Sequence, residues 1–306
     1  MIVSLIHAAS ATGAAALCHR RPAVSEMGSH PAALLAKVPG NDWSLCLVPP
    51  ILQSRLPFAP WMADRTARLP GVQPVEGTQW LQVDDAFAGQ MALRDRLIAE
   101  QPDVVLAALP GSGAATEELL QIVLQQLQAA PGYTASAASV TRPDRIEVEV
   151  DRTQPLKTLG RLVQEDLCLL QHDGTEHVLT AAALCFPASW SLHEKLGRPL
   201  TGVHRTVAAY DDGLAKRVQR LFDLVRVGQP LWRANALIYV NPDLHQPGSE
   251  FAPRTERRNG TYVRSERQTI LRLPETGAIV FAIHSYVVPL DSLSAAERAG
   301  LVAARL

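Results

Sequence analysis

The chain has 306 residues, 47% of them hydrophobic, and a formal net charge of −1 at pH 7. That apolar content builds a substantial core and excludes a disordered chain, and the near-zero charge argues against nucleic acid or an anionic membrane as partner. The four cysteines, Cys18, Cys46, Cys168 and Cys185, form no CxxC and no CxxCH, so a zinc ribbon and a covalently attached haem are excluded and reduced thiols in the cytoplasm are expected.

Residues 1–44 read as a poorly structured N-terminal extension, and one domain is expected over 45–306. The apolar run Met1–Leu17 precedes His19-Arg20-Arg21, the reverse of a secretory signal, and is too short for a membrane span. Met27 is a candidate start. Frequent prolines from Pro31 to Pro74 forbid long helices there, and a short strand is expected over Leu45–Val48. Phe58, Trp61 and Met62 are expected to pin this arm to the core. A helix follows near Ala86–Glu100, with Leu93 and Leu97 inward.

Val104–Leu109 is a short apolar run leading into Pro110-Gly111-Ser112-Gly113 and a helix capped by Thr116, with Leu120, Val123, Leu124 and Leu127 as its stripe. Strand, Gly-rich turn and helix suit a phosphate loop, but neither GxGxxG nor GxxxxGK[ST] is present, so a plain turn is the reading. Ile146, Val148 and Val150 alternate with acids, as in a half-exposed strand. Leu159, Leu162, Val163, Leu167 and Leu170 predict a helix over 156–170, on which Glu165 and Asp166 point different ways and are structural. Val178–Phe186 reads as an apolar strand. His193-Glu194 has Gly197 where HExxH needs a second histidine. Asp211 and Asp212 start a helix with Leu214, Val218, Leu221, Phe222 and Val225 inward, ended by Gly228 and Pro230. Arg233 and Asn235 stand just ahead of a strand. A polar loop, Asn241–Gly260, carries Arg254, Arg257 and Arg258. The last helix, Ser294–Ala304, has Glu297 three residues after its Ser294 cap.

The most informative stretch is Thr261–Tyr286. Tyr262–Leu273 alternates, with Arg264, Glu266, Gln268, Ile270 and Arg272 on one face. Pro274 and Gly277 punctuate a turn, and Ala278–Val288 is almost wholly apolar, as a central strand would be. The polar face is either an outward stripe or a buried set that must be paired or bound to something. Helices and strands intermingle without a βαβ rhythm, so the expected class is α+β.

Three blocks carry a family resemblance: QEDLCLL at 164–170, CFPASWSLHEKLGRPLTGVH at 185–204, and RSERQTILRLP with GAIVF at 264–281. In these the chain resembles the haem-dependent oxidative N-demethylases. The resemblance implies a PAS-like antiparallel sheet with flanking helices and a non-covalent haem b. It also implies O2-dependent, monooxygenase-type oxidation of a small methylated amine such as dimethylamine, releasing formaldehyde. Electrons would come from a separate flavin/iron–sulfur reductase. On that footing His204 is the expected axial ligand of the haem iron, with His284 and then His193 as alternatives. Arg264 and Arg272 are expected to serve haem propionates, and Glu266, Gln268, Arg233 and Asn235 to position amine and oxygen. The rival is a catalytically silent haem-binding PAS-like sensor, whereas a hydrolase has no GxSxG here. The chain departs from the family pattern twice. His204-Arg205-Thr206-Val207-Ala208 replaces a Pro-rich HxPVP run, and Arg233-Ala234-Asn235-Ala236 replaces Arg-x-Asn-Trp, a loss expected to widen or reshape the pocket.

Overall fold

The computed structural model describes residues 51–67, 71–76, 80–205, 212–250 and 259–304. The expected extension at 1–44 and strand at 45–48, together with Asp211, Arg254, Arg257 and Arg258, lie outside the described residues.

After a 3-10 turn at Pro60–Met62 come α1 (Asp64–Ala67), β1 (Gln73–Pro74), α2 (Phe87–Glu100), α3 (Pro102–Val105), β2 (Leu106–Ala108) and α4 (Gly113–Leu127). Three short strands follow, β3 (Thr134–Ala135), β4 (Ser139–Thr141) and β5 (Glu147–Glu149), and then α5 (Pro155–Leu162). The main sheet is completed by β6 (Asp166–His172) and β7 (His177–Ala183), and, beyond α6 (Leu192–Lys195), α7 (Leu200–Val203) and α8 (Asp212–Leu224), by β8 (Leu231–Tyr239), β9 (Tyr262–Arg272) and β10 (Ile279–Pro289). The chain's last described element is α9 (Ala295–Ala303), capped reciprocally by Ser294 and Glu297.

Among the described residues the large sheet has seven strands in the order β1-β8-β9-β10-β6-β7-β2, and the small sheet is β3-β4-β5. All neighbours are antiparallel. The fold is thus mixed α and β around a large antiparallel sheet. The strand pair read from Thr261–Tyr286 is its centre: Tyr262 pairs with Pro289, and Arg272 with Ile279 across the Gly277 turn. Gly277 has φ 69°, which favours glycine.

Because side chains alternate along a strand, the register sorts the sheet into two faces. One face carries Ile270, Ile279, Phe281, Ile283, Cys168 and Leu170, and α7 and α8 cover it with Leu200, Val203, Leu214, Val218 and Phe222. The opposite face carries Leu271, Val280, Ala282, Leu167 and Leu169 under Leu119, Leu120 and Val123 of α4 and Leu159 and Leu162 of α5. With both faces of β9 and β10 covered, their interior residues are buried. The polar stripe on β9 therefore does not face outward.

Several local expectations are corrected. The helix over 156–170 stops at Leu162; Val163 is extended, and Asp166 begins a central strand. Apolar residues at 167–170 are buried on both faces of a sheet, and such a run also fits helical spacing. Helix α4 starts at Gly113, so Thr116 lies inside it, and its hydroxyl donates to the Gly113 carbonyl at 2.8 Å. Arg233 and Asn235 lie within β8 rather than ahead of it. Trp61 is buried and Phe58 packs edge-on against Trp232 and Tyr286, whereas Met62 is 49% exposed.

Candidate functional site

Antiparallel register assembles the site. It sets Arg233 opposite Gln268 and Asn235 opposite Glu266, while β10 places Ile283 and Ser285 beside them on the same face. Arg233 donates to Gln268 Oε1 at 2.6 Å, and Gln268 Nε2 donates to Glu266 Oε2 at 3.0 Å. Asn235 Nδ2 donates to the same Glu266 oxygen at 3.2 Å, and the Glu266 amide N–H donates to Asn235 Oδ1 at 3.1 Å. All four side chains are buried, and Glu266 is 6% exposed. Two amides thus hold one carboxylate oxygen, while Arg264 Nε lies 3.5 Å from the other. Burial brings the Arg233 guanidinium down to about 10 against the pull of Glu266, which leaves it charged at neutral pH.

His204 lies on the same side of the sheet. It is the C-cap of α7, whose Leu200 and Val203 pack with Ile270, Phe281 and Ile283. The ring is buried, with Nδ1 2.6 Å from the Leu200 carbonyl. A carbonyl accepts only, so Nδ1 carries the hydrogen and the lone pair sits on Nε2. Burial pushes its pKa down to about 3, so the imidazole is neutral. A neutral ring with Nδ1–H fixed on a backbone carbonyl is the form in which histidine ligates a metal. An apolar sheet patch, a neutral histidine and nearby cations are the groups a non-covalent haem needs, and the chain has them on one face.

The alternatives stand elsewhere. His284 faces the opposite side of the sheet, with Nε2 3.0 Å from Asp84 Oδ2 and Nδ1 3.1 Å from Glu165 Oε1. Burial disfavours its charge, but the two carboxylates outweigh that and raise its pKa to about 9. A doubly engaged imidazolium offers no lone pair to a metal. His193 is exposed on α6 and contacts the Asp103 carbonyl. Ala236 also faces away from the network, into a cluster with Leu56, Trp61, Val263 and Tyr286. The position of the family tryptophan thus lies on the other face of β8 from Asn235, the residue opposite Glu266.

The two arginines expected at haem propionates are engaged with backbone carbonyls. Arg272 donates from Nε to the Val225 carbonyl and from its terminal nitrogens to Gly277 and Phe222, so it caps the end of α8. Arg264 donates to the carbonyls of Leu244 and Phe186 at 3.0 and 2.6 Å. Eight residues of strand also separate them by about 26 Å, so they cannot share one porphyrin edge.

Among the buried charge systems that sequence reasoning missed, two flank the central strands. In the first, Arg94 on α2 donates to Asp166 Oδ1 at 2.7 Å, while Asp166 also accepts the amides of Cys185 and Phe186. The second is Asp84–His284–Glu165. Glu165 and Asp166 are thus sent to opposite sides of the sheet, each with a cationic partner. The signal for the second was a lone histidine in an almost wholly apolar central strand. No helix among the described residues is long and apolar enough to cross a membrane. A family model described as haem-dependent oxidative N-demethylase, alpha subunit-like, matches residues 71–306. That match spans well over half of the chain, and the protein therefore belongs to the haem-dependent oxidative N-demethylase alpha-subunit-like family.

Proposed function

We propose that the protein oxidatively removes a methyl group from a small methylated amine of the dimethylamine type, using a non-covalent haem b ligated by His204. The balanced reaction converts dimethylamine, O2, two electrons and two protons into methylamine, formaldehyde and water. A separate flavin/iron–sulfur reductase delivers the electrons, and O2 is the co-substrate. When bound, the haem supplies the O2 activation and one-electron chemistry that no side chain can. The observation that carries this reading is one carboxylate, Glu266, buried on the His204 face and held by two amides.

The substrate is a cation at neutral pH, and a buried face admits a cation only beside an anion. Glu266 holds the ammonium and accepts its proton at a carboxylate oxygen, which frees the nitrogen lone pair for oxidation. Asn235 and Gln268 fix the rotamer of that carboxylate. Arg233 fixes the Gln268 amide by occupying its carbonyl, so the amide nitrogen faces Glu266. The surrounding Ile270, Phe281 and Ile283 exclude water, which strengthens each of these interactions.

The scaffold reading is PAS-like. The central strands run β7-β6-β10-β9-β8, so counted along the chain the order is second, first, fifth, fourth, third, as in a PAS sheet, with the connecting helices on one face. The test is turnover. Chain loaded with haem and given dimethylamine, O2 and a low-potential electron donor should form formaldehyde and methylamine in equal amounts. A chain that binds haem and O2 but yields no formaldehyde from any methylated amine tested is a sensor, and the demethylase reading is then wrong.

A further inference from the structure

Three cations converge on one carboxylate beside His204. Lys195 Nζ lies 3.0 Å from Glu250 Oε2, and Arg198 and Arg205 reach Glu250 Oε1 at 2.8 and 2.9 Å. The Glu194 carboxylate, close by, accepts from the Ser249 hydroxyl and the Glu250 amide. The side chains of Lys195 and Glu250 are each 2% exposed. Hydrogen bonds from Arg198 and Lys195 hold Glu250 well below the usual carboxylate range, at about 2, so it stays ionised. Among the described residues these four side chains carry three positive charges and one negative, next to or under the protein surface.

The backbone holds these side chains in place. The Leu179 amide donates to the Arg198 carbonyl and the Gly197 amide to the Leu179 carbonyl, which fastens the turn after α6 onto β7. Gln246 exchanges backbone hydrogen bonds with Pro187 and Ser189, which fastens the segment leading to Glu250. Arg205 directly follows His204 in the chain, and Lys195 and Arg198 lie on the segment that leads into α7. Three cations around one carboxylate, on the segment that carries His204, suit a dianion.

We propose that Lys195, Arg198 and Arg205 are the anchor for the two propionate carboxylates of the haem, with Glu250 as their resident counter-ion. The assignment rests on the haem reading above and replaces Arg264 and Arg272, whose guanidinium groups are committed to backbone carbonyls. Guanidinium forks and an ammonium suit carboxylates on short, mobile arms. Two carboxylates bring the two negative charges that the cluster lacks.

The experiment compares haem b with its dimethyl ester, which has the same ring and iron but no propionate charge. Each is loaded into the full chain, and its loss to excess apomyoglobin is followed by the Soret band. The wild-type chain should lose the ester roughly tenfold or more faster than haem, the range for charged hydrogen bonds. The double variant Arg198→Gln/Arg205→Gln, chosen because both side chains are partly exposed, should lose haem faster and discriminate several-fold less between the two, with Lys195 as the remaining cation. Equal loss of haem and ester by the wild type would overturn the assignment. So would a variant that discriminates as strongly as the wild type, because the propionates would then be held elsewhere. If the cluster is only a structural brace, the apoprotein melting temperature falls while the discrimination stays intact. A chain that takes up neither porphyrin ends the haem reading itself, and this assignment with it.

Discussion

Changing Glu266 to glutamine separates charge from shape. Arg233 fixes the Gln268 amide, and the Glu266 backbone N–H fixes the Asn235 amide. Both neighbours therefore keep presenting N–H groups to the introduced side chain. Its carbonyl can accept both, as Glu266 Oε2 does now. Its –NH2 then replaces Oε1 and faces Arg264 Nε at 3.5 Å, donor against donor. Arg264 keeps its two carbonyl partners. The net cost is one charged contact, about 1–3 kcal/mol, against roughly 5–15 kcal/mol for a whole domain. The fold survives, with a melting temperature lower by about 2–4 °C for each kcal/mol lost. Turnover is affected far more, because the amine now meets Arg233 and Arg264 with no anion between them. A fall of about 10²–10⁴-fold is the range for removing an acid–base group. The assay measures formaldehyde per haem, with haem content read from the Soret band. Wild-type turnover in Glu266→Gln would refute the role; loss of folding would show that the network is a brace.

Two further perturbations test the scaffold. Asp166→Asn leaves the fully buried Arg94 guanidinium without its counter-charge, so stability in urea should fall by about 3–5 kcal/mol; a change below about 1 kcal/mol would contradict the ion pair. For His284, faced by Asp84, Glu165 and the Tyr286 ring, the folded pKa of about 9 lies above the ordinary 6.5. Its contribution is complete below pH 6.5 and is lost as pH rises through 9. In Asp84 burial is outweighed by the bonds and charge of His284, so its pKa of about 2 lies below the ordinary value and its contribution is lost only as pH falls toward 2. Melting temperature should therefore decline between pH 7 and 10 in the wild type and decline less in His284→Asn. Parallel curves would remove the charge assignment.

What was legible in the sequence was local. The alternation of Tyr262–Leu273, the Gly277 turn and the apolar run after it gave β9 and β10 within a residue or two. The stripe of Leu214, Val218 and Phe222 gave α8, and Ser294 with Glu297 gave the last helix. Leu167–Leu170 was misread because burial on both faces erases the two-residue period that marks a strand. Partners distant in sequence were not legible. Asp84 meets His284 across 200 positions, and Arg272 meets carbonyls at the end of α8. The polar residues of β8 and β9 were legible as a set, but only the register shows that Gln268 is held by Arg233 and Glu266 by Asn235.

The central claim is that the chain holds a haem on the sheet face that His204 serves, and the ligand change tests it most directly. His204→Ala and His284→Asn are each purified with added haem, and their spectra are compared with the wild type. The account predicts a Soret band in the wild type, a weakened or displaced band in His204→Ala, and an unmoved Soret maximum in His284→Asn, which lies on the opposite face. An unchanged haem content and Soret maximum in His204→Ala would contradict it.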